Sequence, residues 1–189
     1  MTNLGTYKEK QGFEILLKEI NSLLLVKDKV VIAIAGLPGI GKTHLVKNFI
    51  RFGFGNFHRR DVTVIDDNII YTTKFWKLKW TKIKDDKKSI NGMVNSIDTK
   101  IVFFSNWIPS RFIDFADIMI YLELNESERL RRLRKRYRKA PEKFLIQKEK
   151  TTIPVEPPFV FGKDITLINN SNASTRWSIV WTIRRFFSH

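Results

Sequence analysis

The sequence predicts an α/β fold whose mostly parallel, five-stranded sheet is covered by helices on both faces. Three observations carry that reading. Short apolar or β-branched runs alternate along the chain with longer stretches of helical period. One such run passes directly through a glycine-rich loop into a helix, as a parallel strand–helix unit requires. A chain of 189 residues with 43% hydrophobic content is also enough for one such domain with a full core.

The elements follow in order. Thr6 to Glu9 has the spacing of a capping box, and Phe13, Leu16, Leu17, Ile20, Leu23 and Leu24 recur on one helical face, so residues 9–26 are expected to form an amphipathic helix beside the sheet. The first strand is 30–35, and a helix over 43–52 is closed by Gly53 and Gly55. The second strand, 62–65, runs into Asp66-Asp67. Residues 71–97 are less legible. Trp76, Leu78 and Trp80 alternate with Lys77 and Lys79 as in a strand, yet Trp76 and Trp80 also suit one helical face; burial of the tryptophans is favoured over an exposed base-stacking role. Residues 84–96 are expected to be helical, 101–104 and 118–122 to be strands three and four, and 126–139 an arginine-rich helix. Asn125 with Glu128 caps that helix and Pro141 marks its end. A loop over 151–163, a fifth strand at 165–168 and a closing helix at 174–187 complete the domain.

The chemistry starts at Gly36-Leu37-Pro38-Gly39-Ile40-Gly41-Lys42-Thr43, a complete G-x-x-x-x-G-K-T phosphate-binding loop between strand and helix. Glycines let successive backbone N–H groups turn toward one anion, and the helix N-terminus adds partial positive charge. Lys42 is expected on the β- and γ-phosphates of ATP, and the Thr43 hydroxyl on Mg²⁺. A nucleoside triphosphate is therefore the expected ligand.

The net charge of +15 favours polyanions, with much of the excess at 74–88 and 129–139. Cysteine is absent, which excludes disulfides and thiolate metal sites and suits a cytoplasmic location. No signal peptide is recognised at the start, and the apolar stretch 20–34 is broken by Lys27-Asp28-Lys29, so no membrane partner is expected. His44, His58 and His189 have no metal-ligand spacing, and the apolar closing segment 177–187 with Arg184 and Arg185 is read as packing on the sheet.

Three segments resemble the P-loop kinases that phosphorylate nucleosides, nucleotides or the 5′-hydroxyl of nucleic acids. They are the loop 36–43, Asp66-Asp67 at the tip of the next strand, and Ala116 to Leu122 followed by Glu128-Arg129-Leu130-Arg131-Arg132-Leu133-Arg134-Lys135-Arg136. The fifth strand with its Asn169-Asn170 turn is similar to the usual ending of such kinases. The resemblance implies a three-layer P-loop NTPase fold, an acceptor-side insertion at 71–97 and a lid helix at 126–139. It also implies an aspartate base, Asp66 or Asp67, with Asp66 offered to the metal as well, and a phosphate contact from at least one of Arg132 and Arg136. Strict alternation would point Asp66 and Asp67 to opposite faces, leaving one toward the phosphate. Strand three departs from the pattern by ending in Phe103-Phe104-Ser105-Asn106 without an acid. The acceptor region matches no substrate signature, so nucleoside, nucleotide and nucleic-acid acceptors stay open.

A second reading is a nucleic-acid-dependent P-loop ATPase of AAA+ or superfamily 3 helicase type. There Val64 to Asp67 resembles a metal-binding strand and Asn106 a residue that positions water. Lys42 and Asp66 lie 24 positions apart, room for one helix and no intervening strand, which favours the kinase.

Overall fold

The computed structural model describes residues 2–74, 77–153 and 159–168. Its eight strands form a single sheet in the order β1-β8-β7-β2-β6-β3-β4-β5. They are β1 (Thr2–Lys8), β2 (Val30–Ala35), β3 (Val62–Asp66), β4 (Ile69–Lys74), β5 (Lys77–Lys82), β6 (Ile101–Ser105), β7 (Phe115–Glu123) and β8 (Val160–Ile168). Every pairing from β1 to β3 is parallel, whereas β3–β4 and β4–β5 are antiparallel. The sheet is thus mixed and eight-stranded, which corrects the expected five-stranded one.

The five expected strands form its middle, β8-β7-β2-β6-β3. Parallel strands covered on both faces must be apolar throughout, and β2, β3 and β6 are buried at every position. The three additional strands lie at the edges. β1 has no alternating apolar pattern; it is held by pairing with β8 across the fold and by the Asn3 amide donating to Asp164 at 2.7 Å. β4 and β5 make a hairpin, and β5 is exposed along its whole length.

Helices α1 (Glu9–Leu23) and α2 (Lys42–Phe52) cover one face, where Leu16, Ile20, Phe49 and Ile50 join Ile32, Ile34 and Phe103 in one core. On the other face α3 (Lys87–Ser96) brings Ile90 and Val94 onto Ala33, Val102 and Phe104. Two further helices, α4 (Glu126–Arg136) and α5 (Pro141–Lys148), follow β7. No described helix is long and apolar enough to cross a membrane.

Local expectations fail where tertiary contacts take over. Thr6 lies in β1, and Lys8 precedes α1 without a side-chain cap, so the expected capping box does not form. The helix ends at Leu23 rather than 26. The helix expected from Lys84 begins at Lys87, because Asp86 caps it by accepting from the Ser89 amide at 2.8 Å. Asn125 caps α4 as expected, but the helix stops at Arg136, and Pro141 opens α5 instead of ending a helix. Proline suits that first turn because its missing N–H has no helical partner there. Part of the expected loop 151–163 is strand, since β8 starts at Val160 beside β7. Trp76, Asn169-Asn170 and the expected closing helix 174–187 lie outside the described residues.

Candidate active site

β2 delivers the loop 36–43 to the carboxyl edge of the sheet, and α2 starts on its last residues. Gly39 and Gly41 have φ of +93° and +110°, values that residues with a Cβ rarely adopt. A Cβ on Gly39 would also stand 2.9 Å from Leu133 Cγ, so α4 packs directly on the loop. Beside them opens a cleft of about 940 Å³. Pro38, Gly39, Gly41, Lys42 and Thr43 line it from the loop, Asp66 and Asp67 from the tip of β3, and Arg132 and Arg136 from α4. Gly36, Leu37 and Ile40 stand behind the cleft wall: Ile40 is buried in the core, and Leu37 packs against it.

The two aspartates do not diverge as strict alternation predicts. Asp66 closes β3, but Asp67 enters the left-handed region at φ 55°, and both carboxylates face the cleft. The Asp67 amide donates to the Ser105 carbonyl oxygen at 2.8 Å, while the Asn106 amide group donates to Asp67 Oδ1 at 2.9 Å. Asn106 is itself fixed, its Oδ1 accepting from the Ile108 amide and its own N–H donating to the Ile34 carbonyl. The residue standing where an acid was expected therefore orients one. Burial raises the Asp67 pKa, the neighbouring Asp66 charge adds to that, and Lys42 opposes it.

Lys42 reaches back from α2 and donates to the Gly36 carbonyl at 2.5 Å and to that of Leu37 at 3.5 Å. Burial lowers its pKa to about 8, against the pull of Asp67 and Asp66. That is the electrostatic setting of a cation placed to receive a more highly charged anion.

The arginines of α4 divide into three kinds. Arg129 is 1% exposed and holds the architecture. It makes a two-pronged pair with Glu126 at 2.6 and 2.7 Å, and donates to the carbonyls of Pro38, Gln147 and Lys148. Arg132 is paired with Glu128 at 2.8 Å and donates to the Ile40 carbonyl at 3.3 Å, which keeps it against the loop. Arg136 lines the cleft over the Tyr137 ring. Arg131 and Arg134, and Arg138 beyond the end of the helix, are exposed and contribute nothing to the cleft wall.

Sequence reasoning missed several contributors. Asp85, Gln147 and Lys150 line the cleft, as does Trp107, whose ring lies under the Lys150 ammonium at 4.1 Å and whose Nε1–H donates to the Thr152 carbonyl. None belongs to a short motif; the fold brings them together. His44 sits on α2 as expected and borders the cleft. Asp117, within the 116–122 segment that resembles the kinases, is structural. It is 4% exposed, accepts from the Val31 amide at 2.8 Å and pairs with Lys27.

A loop of main-chain amides at a helix start, backed by lysine, hydroxyl and carboxylate, defines a P-loop nucleotide-binding domain. A family model described as AAA domain matches residues 32–153, more than half of the chain, and the chain belongs to that family. No curated protein matches it.

The donor set also suits Mg²⁺. Among the described residues no three histidine or acidic side chains gather around one point. Mg²⁺ bound with a nucleotide, however, takes one or two protein oxygens and completes its shell with phosphate and water. The Thr43 hydroxyl and the Asp66 carboxylate, both on the cleft wall, are hard oxygen donors of that kind.

Proposed function

We propose that the chain is an ATP-dependent phosphotransferase that moves the γ-phosphate of ATP·Mg²⁺ to a hydroxyl or phosphate acceptor on a nucleoside, nucleotide or nucleic-acid 5′ end. One observation carries this reading: α4 places Arg132 and Arg136 of the same chain in the cleft that holds Lys42 and the aspartates. The charge-neutralising groups of phosphoryl transfer are then present within one chain. The cleft also extends past the loop to Asp85, Trp107 and Phe112, space for a second reactant.

In this reading the loop amides and Lys42 hold the β- and γ-phosphates. Thr43 and Asp66 hold Mg²⁺, which supplies charge neutralisation on the phosphate oxygens. Asp67, kept in place by Asn106 and with its pKa raised, accepts the proton of an acceptor hydroxyl. The acceptor oxygen bonds to the γ-phosphorus as the bond to the β–γ bridging oxygen breaks, and ADP leaves with that electron pair. Arg132 and Arg136 neutralise the three peripheral oxygens. The lid role of α4 rests on the same placement.

A hydrolytic reading has its own support. Asn106 follows β6, which lies between the strand of the loop and that of Asp66, as a water-positioning residue requires. Labelled ATP·Mg²⁺ incubated with nucleosides, monophosphates and 5′-hydroxyl oligonucleotides separates the two. Label on an acceptor is expected. Release of free phosphate alone, stimulated by DNA or RNA, would replace the transferase with an ATPase.

A further inference from the structure

Trp80 was expected to be buried, and it is not: it is 68% exposed, beside Leu78 at 52%, on β5, the strand at one edge of the sheet. Around them Lys77, Lys79 and Lys82 are exposed, and none has an ion-pair partner among the described residues. Alternation puts Leu78, Trp80 and Lys82 on one face and Lys77 and Lys79 on the other. An indole this exposed between unpaired ammonium groups is explained neither by the core nor by the phosphate cleft.

From these observations we infer that the β5 edge is a binding track for single-stranded nucleic acid, the ligand running along the open edge so that Trp80 stacks a base on one face while Lys82 on that face and Lys77 and Lys79 on the other straddle its phosphates. Stacking on an aromatic side chain beside a cationic track is how single strands are held without sequence preference. Lys77 and Lys79 are about 6.6 Å apart along the strand, a separation an extended sugar–phosphate backbone can follow. A second copy of β5 fits poorly, because pairing this strand with itself sets lysines near lysines. A bilayer surface fits less well too, since two apolar side chains make a small insertion patch.

The register gives the track a direction. Lys82 pairs with Ile69, which pairs with Asp66, so the end of β5 is two strand spacings, about 10 Å, from the catalytic edge. Beyond it the Ile83 amide donates to the Asn68 carbonyl at 2.9 Å, and both Asn68 and Asp85 line the cleft. A strand lying on β5 ends at the mouth of that cleft.

The test is fluorescence anisotropy of 3′-labelled dT12 and rA12 with the full chain, without ATP or magnesium, over a salt series. Trp80→Ala is expected to weaken binding about 5- to 150-fold, from the worth of one stacked base, and Trp80→Tyr to recover most of it. The triple change Lys77→Ala, Lys79→Ala, Lys82→Ala should reduce the slope of log K against log salt by about 2, for three phosphate contacts on a single strand. ATP binding, measured in parallel, should be unchanged in all variants, which checks their fold. Undiminished oligonucleotide binding by both Trp80→Ala and the triple variant overturns the inference. So does wild-type binding to phosphatidylserine vesicles, lost in these variants, with none to either oligonucleotide. Because the readout needs no turnover, its failure leaves the phosphotransferase reading standing, and failure of phosphate transfer leaves this one intact.

Discussion

Burial beside the loop sets the Lys42 pKa near 8, with Asp67 and Asp66 pulling the other way. The protonated form is the one that grips phosphate, and a bound triphosphate restores a high pKa. ATP affinity should therefore fall about tenfold per pH unit above pH 8, with proton uptake on binding. Titration calorimetry in buffers of different ionisation enthalpy measures that uptake. The same burial opposes stability. Folding lowers the lysine pKa from 10.5 to about 8, so the unfolded chain holds the proton more tightly and stability rises as pH climbs through that window. At pH 7 the penalty is roughly 3 kcal/mol, partly offset by the bonds to Gly36 and Leu37. Lys42→Met should raise the melting temperature of the ligand-free protein by about 2–8 °C while abolishing ATP binding, and the gain should fade toward pH 10. The two aspartates should part ways as well. Asp67→Asn is expected to remove turnover at nearly unchanged ATP affinity, and Asp66→Asn to raise the Mg²⁺ concentration needed for half-maximal rate. Equal, mild effects in both would exclude a carboxylate base.

Two kinds of work are distributed along α4. Arg129 ties its first turn to the loop at Pro38 and to the end of α5 at Gln147 and Lys148. Arg129→Ala should cost about 1–3 kcal/mol, because the carbonyls of Pro38, Gln147 and Lys148 lose a charged donor while the exposed Glu126 is rehydrated, and denaturant unfolding reads that directly. Among the described residues Arg136 has no such ties, and it borders the cleft. Arg136→Ala should lower kcat about 10- to 1,000-fold with little change in ATP affinity; unchanged turnover would remove the catalytic role proposed for it. Arg131 and Arg132 together hold the Glu128 pKa down to about 2. Their contribution to the helix is complete above pH 4.5 and is lost as pH falls toward 2, so acid should loosen α4 through this pair.

Across the whole molecule, legibility followed the locality of the forces. β2 could be bounded to the residue because burial on both faces demands an unbroken apolar run and the loop fixes its end. The phosphate cradle was legible for the same reason: all of its groups are consecutive. β1 and the β4–β5 hairpin were not, because edge strands need no inner-facing apolar pattern and take their order from partners distant in sequence. The convergence of Asp66 and Asp67 was hidden by a single backbone angle at Asp67. Arg129 reads in sequence like its neighbours on α4, and only the packing of α4 onto Gly39 and α5 separates a structural guanidinium from those at the cleft.

Among the described residues β1 pairs only with β8, from Thr2 opposite Lys163 to Lys8 opposite Ile168. On the ribosome, β1 must then wait until β8, more than 150 residues later, has been translated before its pairing edge exists. Closure of that seam belongs late in folding, because a contact spanning so much chain is reached slowly. Substitutions in β1 should accordingly speed unfolding and leave the refolding rate almost untouched.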